Sequence, residues 1–170
     1  MVHWILVPAF GKGIINNVLA EKTFKVLQAI RQSKKGEHVQ IFSQMDMMPA
    51  LEIAFGHADP EKVTQLAVQK RAGISTGHII SQFGDRLQDG DVITIVAADP
   101  HAYRVFRDLA WNTIDLGKDI LIYKAIFSED EKPFKWFRRL NGQIWTEKEW
   151  LWNIRETILL ALPWKLYQKL

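Results

Sequence analysis

The 170-residue chain contains no cysteine, which excludes a disulfide framework, a thiolate metal site and a cysteine nucleophile. It has no run of about 18 apolar residues, so no segment reads as a membrane-spanning helix. The opening MVHWILVPAF lacks a basic n-region and a small-residue cleavage site, so it does not read as a secretory signal. The expectation from these absences is a cytoplasmic protein. No histidine pair stands in HxxxH spacing, no GxSxG elbow occurs, and neither a Walker A loop nor a GxGxxG fingerprint is present. Zinc hydrolysis, serine-elbow chemistry and the commonest nucleotide-binding loops therefore find no support.

What is present is an ordinary globular composition, with 48% hydrophobic, 24% charged and 11% aromatic residues. These fractions exclude a disordered, collagenous or low-complexity chain. A chain of this length would bury roughly 70% of its unfolded surface, enough for one core without staples. The net charge of +3 permits an anionic partner without demanding one.

Up to Phe127 the pattern alternates strand and helix. His3 to Ala9 is a short apolar run ended by Pro8 and the Gly11-Lys12-Gly13 loop, and it predicts a buried strand. Apolar residues from Ile14 to Gln32 fall at helical spacing and stop at Lys34-Lys35-Gly36. His38 to Phe42 is a second strand, and residues 46–58 form a short helix or an irregular loop. Asp59-Pro60 predicts a helix start, with Val63, Leu66, Ala67 and Val68 carrying it to about Arg71. Ile79, Ile80, Phe83 and Leu87 give a further apolar helical face. Val92 to Ala98 is continuous, β-branched and apolar, the mark of a central strand covered on both faces. Asp99, as N-cap, and Pro100 then open a helix to about Leu116, and Asp119 to Ile126 is another buried strand. Strand, long helix, strand implies parallel crossovers, hence an α/β fold in three layers around a mainly parallel, Rossmann-like sheet.

The composition changes after Phe127. Residues 128–133, SEDEKP, read as a charged linker between a sheet domain, 1–127, and an aromatic helical appendage, 134–170. Five of the seven tryptophans lie beyond Phe127. Thr146 and Glu149 stand in capping-box spacing, and Trp150, Ile154, Ile158 and Leu162 recur every four residues on one helical face. That face either packs back on the sheet, meets a protein partner or a second copy, or lies on a membrane surface. Lys135, Trp136, Arg138 and Arg139 interleave basic and aromatic residues, a pattern that grips single-stranded nucleic acid or forms a snorkelling surface patch.

Open parallel sheets bind ligands beyond the carboxyl ends of their strands. Three stretches fall there. Gly11, Lys12 and Gly13, followed by Asn16 and Asn17, offer amides and one charge to a phosphate, or else a plain tight turn. Asp99 and His101 offer a metal or water ligand and an acid-base partner, or else a helix cap and an exposed histidine. Asp46 either joins Asp99 at a magnesium or manganese ion or caps the helix that follows it.

From Arg71 to Ile126 the order of events resembles the second half of an NYN/PIN-like nuclease domain. The matching stretches are Gly73-Ile74-Ser75, Ile79-Ile80-Ser81, Asp89-Gly90-Asp91, Ile95 to His101 and Leu116-Gly117-Lys118, with WILVPAF in the place of the family's first strand. The resemblance implies a sheet edge where several carboxylates hold magnesium or manganese and activate water for phosphodiester hydrolysis. In this chain Pro8 or Ala9, Ser75, Ser81 and His101 stand at the other acidic positions, and Asp99 alone remains. The implied function is a nucleic-acid- or phosphate-ligand-binding, regulatory copy with a degenerate metal site. An interaction module acting through the tryptophan-rich helix is the alternative from another class. An active hydrolase drawing carboxylates from Asp99, Asp46 and Asp85 is a third.

Overall fold

The structure is a computed structural model describing residues 1–11, 13–33, 38–56, 66–68, 76–133, 136–137, 144–163 and 166. Five strands, β1 (His3–Val7), β2 (Val39–Ser43), β3 (Leu66–Val68), β4 (Val92–Ile95) and β5 (Leu121–Lys124), form one sheet in the order β3-β2-β1-β4-β5. Every neighbouring pair is parallel, with Ile5 level with Ile41 and Thr94. The expected α/β class with a parallel sheet is what the chain adopts.

Alternate side chains of β1 go to opposite faces. Ile5 and Val7 join a cluster with Ile15, Leu19 and Leu27 of α1 (Ile15–Ser33) and with Leu51 and Phe55 of α2 (Met48–Phe55). Trp4 and Leu6 join a second cluster with Ile79, Ile80 and Phe83 of α3 (Thr76–Gly84) and with Ala102, Val105 and Leu109 of α4 (Asp99–Asp115). Helices thus cover both faces, giving three layers. At the amino edge of the sheet the buried Asp91 carboxylate accepts from the Val2 and Gln88 amides and from the Trp4 indole, at 2.7–3.1 Å. That carboxylate pins the first strand to the start of the fourth.

Three local expectations change. Leu66–Val68 is a strand beside β2, where helical spacing predicted a helix; three residues cannot separate the two periods, and pairing with Ile41 to Ser43 decides it. The rest of the predicted 59–71 helix, together with Gly73 and Ser75, lies outside the described residues. β5 is an edge strand with Leu121 57% and Tyr123 55% exposed, not a buried one. Its apolar run is legible in sequence, but its place at the rim is not. Ala98, not Asp99, is the N-cap of α4, and Asp99 is its first helical residue.

Beyond β5, residues 128–133 are held against α1. Glu131 takes Lys22 at 2.6 Å, Lys25 at 2.9 Å and the Ser128 amide at 3.0 Å. These contacts hold the Glu131 carboxyl far below the usual carboxylate range, Lys22 contributing most. A four-residue helix, α5 (Ile144–Glu147), and α6 (Glu149–Ala161) follow. The capping box does not form: Lys148 is the N-cap of α6, and Thr146 is buried within α5. Among the described residues no helix is long and apolar enough to cross a membrane.

Candidate functional site: a sealed carboxyl edge

The crossovers from β1 to β2 and from β4 to β5 leave in opposite directions, so the crevice between β1 and β4 is the sheet's topological switch point. The chain itself fills that crevice. Phe10, after β1, is 1% exposed and packs against Trp152 of α6 at 4.9 Å between ring centroids, Phe137 at 5.7 Å and Trp136 at 6.5 Å. Trp136 also meets Phe127 edge-on. Trp152 donates its indole N–H to the Pro100 carbonyl in the first turn of α4, at 3.3 Å.

From there α6 runs alongside α4 in the same direction. Arg104 Nε donates to Glu156 Oε2 at 2.7 Å, Arg107 donates to the Leu160 carbonyl, and Leu159 and Leu162 reach the second core cluster. Arg104 is almost fully buried, so its guanidinium needs the Glu156 carboxylate and also lies over the Trp152 ring. Burial raises the Glu156 pKa despite the arginines beside it. The helix therefore seats by Trp152, Glu156 and Leu159. The face spaced by four residues turns outward instead, with Trp150 58%, Ile154 51% and Ile158 57% exposed; only Leu162 of that series packs inward. Of the placements the sequence left open for this face, the outward one holds for most of it, while the inward side of α6 supplies the Glu156 carboxylate that a buried arginine needs.

His101 is buried, not an exposed partner for Asp99. Its Nε2 is 2.9 Å from Thr76 Oγ1, Nδ1 has no hydrogen-bond partner among the described residues, and Phe10 and Trp152 flank the ring. Burial above all, then the charges of Arg104 and Arg155, hold its pKa well below the ordinary value and keep it neutral. The Asp99 carboxylate instead faces Lys124 at 3.7 Å and Lys132 at 3.8 Å. Asp46 follows β2 while Asp99 follows β4, so β1 separates them by two strand spacings, roughly 10 Å. Asp85 follows α3 and precedes β4, which places it toward the amino edge. Among the described residues no three histidine or carboxylate side chains gather as a metal site. Magnesium or manganese, which wants several hard oxygen ligands, does not fit an aspartate held between two lysines.

The phosphate-loop reading also changes. Gly11 has φ 76°, the left-handed turn that suits glycine. Asn16 is buried, and its amide accepts from the Phe10 N–H at 3.0 Å and donates to the Gly11 and Asp46 carbonyls. It is a stitch between two loops, not a ligand group. Asn17 is exposed, and Gly13 partly so. Lys12, Lys135, Arg138 and Arg139 lie outside the described residues. Trp136 is engaged with Phe10 and Phe127, which commits the aromatic member of the basic cluster to interior contacts.

A cavity of about 280 Å³ opens where the 128–133 segment meets α1. Lys22, Lys25 and Lys132 line it, matched by Glu21, Asp130 and Glu131, so it offers no net charge to a phosphate. No family model matches the chain, and neither a curated protein nor a solved structure matches it.

Proposed function

We propose that this chain is a non-hydrolysing α/β module of PIN/NYN-like type that works by binding, with the outer face of α6 docking on a protein partner. One observation carries the reading. The helix spends Trp152 on closing the sheet's crevice and leaves Trp150, Ile154 and Ile158 in solvent as a continuous stripe. Single exposed apolar residues are ordinary, whereas a contiguous stripe marks an interaction surface. Anchors at i, i+4 and i+8 suit an apolar groove on the partner, with Trp150 as the residue type enriched in binding hot spots.

Among the described residues, the surroundings of Asp99 support the non-hydrolysing half of the proposal. Lys124 and Lys132 stand beside Asp99 where a metal-dependent nuclease needs further carboxylates. A second reading is regulatory binding of nucleic acid or a phosphate ligand without cleavage, which the net charge of +3 permits. In that case affinity for a single-stranded oligonucleotide falls steeply as salt rises.

Two measurements test the proposal. RNA and DNA incubated with manganese should stay intact; cleavage that Asp99→Asn abolishes would sink the non-hydrolysing reading. A partner recovered with the intact chain should be lost with Ile154→Asp/Ile158→Asp while the melting temperature is unchanged. Recovery of the same partner by that variant would sink the α6 reading.

A further inference from the structure

We propose that two copies of this chain associate through the free edge of β5, pairing it antiparallel with itself so that the two sheets become one. The surface is separate from the outer face of α6 and is carried by different observations.

Among the described residues β5 ends the sheet, and one side of its backbone has no strand beside it. The Leu121 and Ala125 amides donate inward, to the Asp91 and Ile95 carbonyls. By the two-residue period of a strand, Ile122 and Lys124 therefore present their N–H and C=O groups outward. An unpaired edge of this kind is a template for another strand, and proteins commonly guard it with a charged side chain. Lys124 is the charged residue of β5, and Asp99 neutralises it at 3.7 Å.

The side chains are apolar where a guarded edge would be polar. The register with β4 puts Leu121 and Tyr123 on the face of Val92 and Thr94, the face that α1 and α2 cover at β1 and β2. No described helix covers them there, and both are more than half exposed. Ile126, just beyond, is 80% exposed. On the opposite face α4 packs over β4 and β5 and holds out Tyr103, Phe106 and Ile114, which are 69%, 41% and 73% exposed. Those six side chains together expose on the order of 700 Å², the apolar surface from which a seam along β5 draws the roughly 800 Å² per partner of a stable interface, the paired strand backbones supplying the rest.

A second copy is the occupant that matches this surface on itself. A two-fold axis at Ile122 sets Ile122 opposite Ile122 and Leu121 opposite Tyr123 twice, with mutual backbone hydrogen bonds at the outward-facing residue. Each cross-strand Leu–Tyr pair buries an exposed side chain against one of similar exposure. The same axis brings the two α4 helices onto one face on either side of the seam.

Sedimentation of the full chain should give twice 19.7 kDa. Leu121→Glu/Tyr123→Glu, which sets like charges opposite one another, should give the single mass with an unchanged far-ultraviolet spectrum. Ile154→Asp/Ile158→Asp on α6 should remain dimeric. Because the chain is free of cysteine, register can be read directly: Leu121→Cys and Tyr123→Cys chains should crosslink on oxidation when mixed, and neither should crosslink alone. A wild-type monomer, a dimer that survives the double glutamate change, dissociation by the α6 change, or no crosslink in the mixture would each overturn the proposal.

Discussion

Phe10 and Trp152, from opposite ends of the chain, lie 4.9 Å apart and together fill the crevice that a parallel sheet leaves open at its switch point. The contact explains why the tryptophan-rich end of the chain belongs to the core. Trp152 is 4% exposed, touches Phe10, Phe137 and His101, and bonds to Pro100.

Trp152→Ala should therefore cost about 3–5 kcal/mol of stability, the range for deleting a buried aromatic side chain. Urea denaturation followed by circular dichroism measures it. Trp150→Ala, on the exposed stripe, should change stability by no more than about 0.5 kcal/mol.

Gly84 has no room for a side chain. A methyl there would overlap the Asn112 Oδ1 atom and come within 3.0 Å of Leu116 Cδ1, and Asn112 is itself buried on α4. Gly84→Ala should cost about 1–3 kcal/mol by forcing α3 and α4 apart. A thermal melt that matches the wild type would show that Asn112 moves aside freely.

Acid should destabilise the fold through His101. The folded state keeps the ring neutral, while the unfolded chain takes up a proton near the ordinary pKa of 6.5. Stability from this group is thus complete above pH 6.5 and lost as pH falls, by up to about 1.4 kcal/mol per unit. The Glu131 contribution is lost only below its ordinary pKa of 4.5, so the two windows separate. Between pH 6.5 and 5, His101→Gln should show a flatter dependence of unfolding free energy than the wild type.

Glu131→Gln should loosen the 128–133 segment from α1. The Lys22 and Lys25 contacts lose their ionic partner, and the Ser128 amide should exchange its hydrogen faster. Raising the salt concentration should narrow the difference between variant and wild type, since these charges lie near the surface.

The strand and helix pattern was legible because it is local. Val92 to Ile95 announces a central strand by its β-branched run, and α1 and α4 follow their apolar spacing to within two residues. The pairing of Asp99 with Lys124 and Lys132 was not legible, since both lysines lie past the end of α4 in the chain. The inward role of Asn16 and the burial of His101 were not legible either, because each depends on a contact made across the loops. The sequence left three placements open for the apolar face of α6, and the structure turns most of it outward. Trp152 and Glu156, on the other side of that helix, meet Phe10 and Arg104, residues far away in sequence.

The amino-acid sequence by itself determined the α/β class, its parallel sheet and the positions of most elements. Those follow from side-chain period, turn residues and composition, which act over a few neighbouring residues. Tertiary structure alone decided that Trp152 seals the crevice, that β5 lies at the rim and that Trp150, Ile154 and Ile158 stay in solvent. Such outcomes depend on which distant charges and rings must be satisfied together, and no short window of sequence contains both partners.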